Sequence, residues 1–210
     1  MLGPDETLEH HKRHTKGQAM PDADITYQGL HHVVLVCRDM ERTVDFYSNV
    51  LGMTLKKGFD LPNGYGQHFF FDMGGGNELA FFWFRDAPAA QPGVATPANL
   101  VGRDGNISSA HGSMNHVAFK VAADKIDDYR ESLKARGVDV SPVVNHNDVV
   151  TGEAARTGGQ ITDSIWVRSC YFFDPDGVML ELCADVQPGS PSIDLPVNAD
   201  GVKSNGHSLS

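Results

Sequence analysis

The feature that most restricts how this chain can fold is a repeat. The string His32-Val33-Val34-Leu35-Val36 returns as His116-Val117-Ala118-Phe119-Lys120, and each copy is followed by a helical pattern and then by strand patterns. A unit of this kind has one apolar face that it cannot bury alone, so two copies are expected to fold as similar layers that support one another.

The first copy is marked at every joint. LHHVVLV reads as a strand, and MERTVDFYSNVLGM follows with helical spacing that places Val44, Phe46, Tyr47, Val50 and Leu51 on one stripe. Asp39 stands where an N-cap belongs and Gly52 where a helix C-terminal glycine belongs. MTLKKGF, QHFFFDM and NELAFFWF then read as three strands, parted by LPNGYG and by Gly74, Gly75 and Gly76. In the second copy MNHVAFKV is a strand and ADKIDDYRESLKARG a helix with a stripe of Ile126, Tyr129 and Leu133. VDVSPVV is a strand whose Pro142 signals an edge or an early end. SIWVRSCYFF and VMLELCA close the unit around the turn Asp174, Pro175, Asp176, Gly177. The predicted fold is α+β, two tandem βαβββ modules forming a curved mixed-sheet cup around a metal site. The boundaries are an N-terminal arm at 1–27, a first module at 28–85, a linker at 86–112, a second module at 113–185 and a tail at 186–210. A Gly- and Thr-rich insertion runs from about 145 to 163.

Charge and cysteine content narrow the function. A net charge of −10 and a pI near 5.3 argue against nucleic acid or an anionic membrane, both of which select for clustered Lys and Arg. A small molecule is the expected partner. No apolar run reaches the roughly 18 residues a membrane span needs, and the first twenty residues lack the apolar core of a signal peptide, so a cytoplasmic location is expected. Cys37, Cys170 and Cys183 lie inside apolar runs, as packed, reduced thiols do. His10, His11 and His14 fall in the arm, where a mobile segment makes a poor metal site.

A carboxylate in the last strand points to the chemistry. Glu181 interrupts the apolar run of Val178, Met179, Leu180, Leu182 and Cys183, and burying its charge is unfavourable without a cation, a hydrogen bond or a proton. No Lys or Arg lies close to it in sequence. His32 and His116 hold the same place in two related strands, and two imidazoles with one carboxylate leave the far side of a metal ion open. His32, His116 and Glu181 are therefore the expected ligands of a divalent cation, Fe(II) first, with Mn(II) or Zn(II) as alternatives. An isolated strand histidine is usually a packed or exposed residue, and the matched placement carries the metal reading. His31 is expected on the opposite face of its strand.

With those residues in view, the chain resembles the vicinal oxygen chelate superfamily, which includes glyoxalase I, bleomycin and fosfomycin resistance proteins, methylmalonyl-CoA epimerase and extradiol ring-cleaving dioxygenases. The resemblance covers about residues 28 to 185 and is carried by GLHHVVLVCRDMERTVDFYSNVLGM, MNHVAFKV and YFFDPDGVMLEL. It implies four ligand positions, one in the first and one in the last strand of each module. Three are filled by His32, His116 and Glu181; the fourth falls near Ala80, which cannot coordinate, with Glu78 as the alternative if the turn alignment shifts. Three filled positions resemble the extradiol and fosfomycin branches. Tyr171, ten residues before Glu181, stands where ring-cleaving dioxygenases place a tyrosine that hydrogen-bonds the bound substrate. The acid–base histidine of those enzymes has no counterpart in NELAFFWF, leaving His68, His111 and His146 as substitutes, with His68 and His111 preferred. Ala80 and Phe82 are expected to line the pocket. The leading expectation is an extradiol-type dioxygenase acting on a catechol-like diol. A glyoxalase- or fosfomycin-type lyase, isomerase or transferase is the second, and a metal-free binding protein of the bleomycin-resistance type the third. The modules could complete the cup within one chain or by exchange across a homodimer.

Overall fold

Alternation of side chains decides how each sheet is used. In the computed structural model, which describes residues 30–89, 96–101, 103, 106–147, 156–157 and 161–187, strand β1 (His32–Val36) turns Val33 and Leu35 toward the core and His32, Val34 and Val36 toward solvent. Strands β2 (Thr54–Asp60), β3 (Gly66–Gly74) and β4 (Asn77–Phe84) complete a sheet in the order β1-β4-β3-β2, with β1 parallel to β4 and the other pairs antiparallel. The second sheet repeats the plan. Strands β5 (Val117–Lys120), β6 (Val144–Asn147), β7 (Arg156–Thr157), β8 (Ile165–Phe173) and β9 (Met179–Asp185) lie in the order β5-β9-β8-β6-β7, and β5 is parallel to β9. The fold is thus α+β, and four strands of each sheet share one topology, as the repeat predicts; β7 is an additional strand, paired with β6, from the stretch read as insertion. The expectations for His10, His11 and His14, for the arm before residue 30 and for the tail beyond 187 concern positions outside the described residues.

The helix of the first module begins as expected and then departs. Helix α1 (Met40–Val44) is capped by Asp39, whose carboxylate accepts a hydrogen bond from the Arg42 amide at 3.1 Å. From Asp45 to Val50 the turns widen to a π-helix, shown by the Leu51 amide bonding the Phe46 carbonyl. The wider turn seats Tyr47 in the core with no exposure, against Phe71 and Phe81. In the second module α2 (Ile126–Ala135) buries Ile126 and Leu133 but leaves Tyr129 41% exposed, so the predicted three-residue stripe has two core members.

One strand is displaced from its predicted place. VDVSPVV is expected to be a strand with an edge or an early end at Pro142, yet β6 starts only at Val144, beyond the proline, and continues to Asn147, into the stretch read as insertion. The reason is Pro142, which has no amide hydrogen, together with Ser141. The Ser141 hydroxyl accepts the Tyr171 amide at 2.9 Å, so a side chain does what a strand carbonyl would otherwise do.

The inner faces meet in one buried cluster that takes Tyr47, Phe71, Leu79 and Phe81 from the first module and Phe119, Ile126, Leu133, Phe172 and Leu180 from the second. The β8–β9 turn reinforces that contact. The Asp174 carboxylate accepts hydrogen bonds from the Tyr47 hydroxyl at 3.1 Å and from the Asp176 and Val178 amides, while Asp176 accepts the Arg38 amide at 2.9 Å. The turn is therefore a clasp between modules, a role its sequence does not announce. The outer faces remain uncovered in places, with Val36 52% and Phe59 41% exposed. Among the described residues no helix is long and apolar enough to cross a membrane.

Candidate metal centre

Strand register places the expected ligands. On the second sheet Ala118 pairs with Glu181 and Tyr171 stands directly across from Glu181, so Tyr171 and the carboxylate share one face of one strand pair. His116, the residue before β5, brings its Nε2 to 2.9 Å from a Glu181 carboxylate oxygen, and its ring lies edge-on to that of Tyr171. His146 on β6 completes the group, with Nε2 3.5 Å from the Tyr171 hydroxyl, a weak contact at that length. Val101 covers one side, packed with Val144, Tyr171 and Met179.

The first sheet carries the remaining residues. The pairing of Val34 with Ala80 is the counterpart of Ala118 with Glu181, so Ala80 stands at the register of Glu181, where the resemblance implies a fourth ligand, and Glu78 matches Met179. Glu78 is instead paired with Lys56 at 2.8 Å. His32 is exposed near the Phe70 ring, and its Nδ1 lies 2.7 Å from that of His31. His31 was expected on the opposite face; it precedes β1, so strand alternation does not constrain it. His68 is buried, stacked on Phe82 with ring centroids 3.7 Å apart, and its Nδ1 meets the Phe81 carbonyl at 3.0 Å. Phe82 thus stands on the outer face with Ala80, and His111 is exposed in a turn. Among the described residues no group of three His, Cys, Asp or Glu side chains converges. The structure brings together His116, Glu181, Tyr171 and His146, and holds His32, His68, Ala80 and Phe82 on the other sheet.

Environment sets the protonation of the second-sheet group. The hydrogen bond to Glu181 raises the His116 pKa above its ordinary value of 6.5. Burial pushes the Glu181 carboxyl up, but the hydrogen bond from His116, with the polar groups around it, outweighs burial and leaves the pKa below 4.5. Burial, and then the charge of Glu181, pushes the Tyr171 phenol far above its usual range, so it remains a donor at neutral pH. His146 is lowered by burial, partly opposed by Glu181, and is a neutral acceptor there. His146 lay in the stretch read as insertion; continuing the alternation past Pro142 from Val144 would have found it.

A pH dependence follows for the metal-free protein. The raised His116 value contributes stability that is present below its unfolded pKa and lost as pH rises through the folded one. The lowered Glu181 value contributes stability that is present above its unfolded pKa and lost as pH falls through the folded one. The difference in Tm between the chelator-treated chain and its His116→Gln variant should be largest at about pH 4.5 to 6.5 and should shrink on both sides. A difference that is flat in pH would mean the pair is not charged in the folded state.

The donor set fits a divalent cation in its chemistry, since an imidazole and a buried carboxylate already adjoin, although the third donor stands on the other sheet. Two clefts of about 680 and 730 Å³ lie elsewhere, the first between Leu51, Phe119 and Leu133 and the second beside Asp39, Asp60 and Trp83; neither is lined by a proposed ligand.

Two like sheets, each pairing its first strand with its last in parallel, define a fold of two tandem modules, and the second carries a histidine–carboxylate pair as the candidate metal centre. The chain belongs to the Glyoxalase/Bleomycin resistance protein/Dioxygenase superfamily, whose family profile matches residues 29–182. It is 24% identical over 155 residues to the uncharacterized protein YwkD of Bacillus subtilis (strain 168), covering 74% of this chain and 95% of that protein. It is 33% identical over 70 residues to the fosfomycin resistance protein FosX of Listeria monocytogenes, covering 33% of this chain and 41% of that protein. The solved structure of SMU.1112c superposes with a TM-score of 0.51 at 25% identity, covering 75% of this chain and 99% of that one.

Proposed function

We propose that this protein is a metal-dependent enzyme that acts on a small molecule with two neighbouring oxygens, of the extradiol dioxygenase type with a catechol-like substrate. The observation that carries the reading is the His116–Glu181 contact of 2.9 Å, with Tyr171 directly across from Glu181. His116, Glu181 and His32 would hold the cation, Fe(II) first and Mn(II) or Zn(II) as alternatives, and it would supply Lewis acidity and open positions for the two oxygens. Tyr171 then donates a hydrogen bond to a substrate oxygen. His146, neutral and beside Tyr171, takes up the substrate's hydroxyl proton. Val101 and Met179 exclude water from the Tyr171 side, and Ala80, Phe82 and the buried His68 offer a flat apolar wall. In this reading His146 takes the acid–base place for which His68 and His111 were preferred.

His32 reaches the other two ligands from a second copy of the chain. Support for this homodimer is the separation of the triad over two sheets and the exposure of Val34 and Val36 beside His32. The FosX match favours a second reading, a metal-dependent enzyme of the fosfomycin-resistance type.

Metal analysis of protein purified without chelator, with oxygen uptake on catechols, separates the two. Near-stoichiometric iron or manganese, lost in Glu181→Ala and His116→Ala, together with oxygen consumption, is the expected result. Metal binding with turnover of fosfomycin and no oxygen uptake selects the second reading, and absence of metal after reconstitution rejects both.

A further inference from the structure

The outer face of β8 holds a hydroxyl that the roles assigned above do not use. Alternation along β8 puts Ser169 on the same face as Tyr171, and Ser169 stands across from Cys183, one pleat from Glu181 on β9. Ser169 has no exposure, and its Oγ makes no hydrogen bond of sound geometry among the described residues. A buried hydroxyl left without a partner is unfavourable, so its presence needs a reason. Its neighbours supply one. The register sets the hydroxyl beside Tyr171 on its own strand and diagonal to Glu181 on the next, with all three side chains on one face.

The first module gives the contrast. His68 occupies the matching register, across from Phe82, and its Nδ1 is satisfied by the Phe81 carbonyl. There the fourth ligand position is Ala80, and no carboxylate needs support. On the second sheet Glu181 has one oxygen bonded to His116 at 2.9 Å. If a cation takes both the imidazole nitrogen and a carboxylate oxygen, that contact opens and the carboxylate must find another donor to keep its plane. Backbone amides of β9 point along the ladder, whereas Ser169 stands on the correct face.

We propose that Ser169 is a positioning residue: with the cation bound, its hydroxyl donates to Glu181 and holds the carboxylate in its coordinating orientation. This rests on the metal reading above and adds a supporting contact to it. Substrate need not touch Ser169. Ligand orientation by such hydrogen bonds is typically worth a factor of about 10 to 100 in metal affinity.

The test is Mn(II) binding to the full chain, measured by the loss of the free-ion EPR signal, for the wild type, Ser169→Ala and Ser169→Thr, with thermal unfolding of each protein after chelation. Ser169→Ala should bind Mn(II) about 10- to 100-fold more weakly while its metal-free Tm is unchanged or higher, because an unpaired buried hydroxyl has been removed. Ser169→Thr, which keeps the hydroxyl, should recover most of the affinity. Wild-type binding with Ser169→Ala within about twofold of it overturns the role of Ser169 and leaves the metal reading standing. Weakened binding with an equal fall in metal-free stability overturns it as well, in favour of a packing role. Failure of the wild type to bind Mn(II), Fe(II) or Zn(II) removes the metal reading and this inference together.

Discussion

Mixing two chains that each fail to bind metal, His32→Ala and Glu181→Ala, should restore binding to about a quarter of the sites. Each variant alone lacks a ligand at every site. If His32 comes from a second copy, random reassociation makes half of the dimers mixed, and each mixed dimer has one site with all three ligands and one with neither His32 nor Glu181. Dimers selected by two different affinity tags should reach about one half. Assembly of the triad inside one chain predicts no recovery at any ratio, since every site would then keep one defective ligand. The measurement is metal content after co-refolding and dialysis, and its basis is that β1 and β9 present His32 and Glu181 on the outer faces of different sheets.

Asp174→Ala should lower stability by about 3 kcal/mol and Tm by roughly 6 to 12 °C. The substitution removes the acceptor for the Tyr47 hydroxyl and for two backbone amides, leaving three donors unpaired at the junction of the modules. Tyr47 has no exposure, so water does not replace the lost partner. Asp174→Asn should fall much less, because the amide oxygen still accepts the backbone amides. Burial already raises the Asp174 pKa against the pull of those same donors, so a neutral side chain forfeits little. Both variants are read by denaturant and thermal unfolding of the metal-free chain. An Asp174→Ala loss below about 1 kcal/mol would show that the clasp adds nothing to the apolar contact between modules.

The clasp bears on how site motifs are read. YFFDPDG begins with Tyr171 and carries Asp174 three residues on, and the two serve different ends. Tyr171 faces Glu181, while Asp174 ties Tyr47. A string shared by family members with different chemistry can be retained for the second reason alone.

Much of this protein was legible in the chain itself. The duplicated His-Val strings, the cap at Asp39, the glycine at Gly52 and the strand periods determine the two βαβββ units, because side-chain alternation and capping are local properties. The family resemblance implied Tyr171 beside Glu181 and a fourth position near Ala80, and the register sets Tyr171 across from Glu181 and Ala80 at the counterpart of Glu181. What followed from contacts distant in sequence was not legible. The π turn that seats Tyr47, the late start of β6 behind Ser141 and Pro142, and the exposure of Tyr129 each depend on what packs against the element. So do His146 beside Tyr171, with its neutral state, and the unpaired hydroxyl of Ser169, for a pKa or an unmet hydrogen bond is a property of surroundings. His32 shows the limit most plainly: its strand position follows from local pattern, whereas its separation from His116 and Glu181 was decided by which faces of the two sheets pack together, a contact between residues distant in sequence.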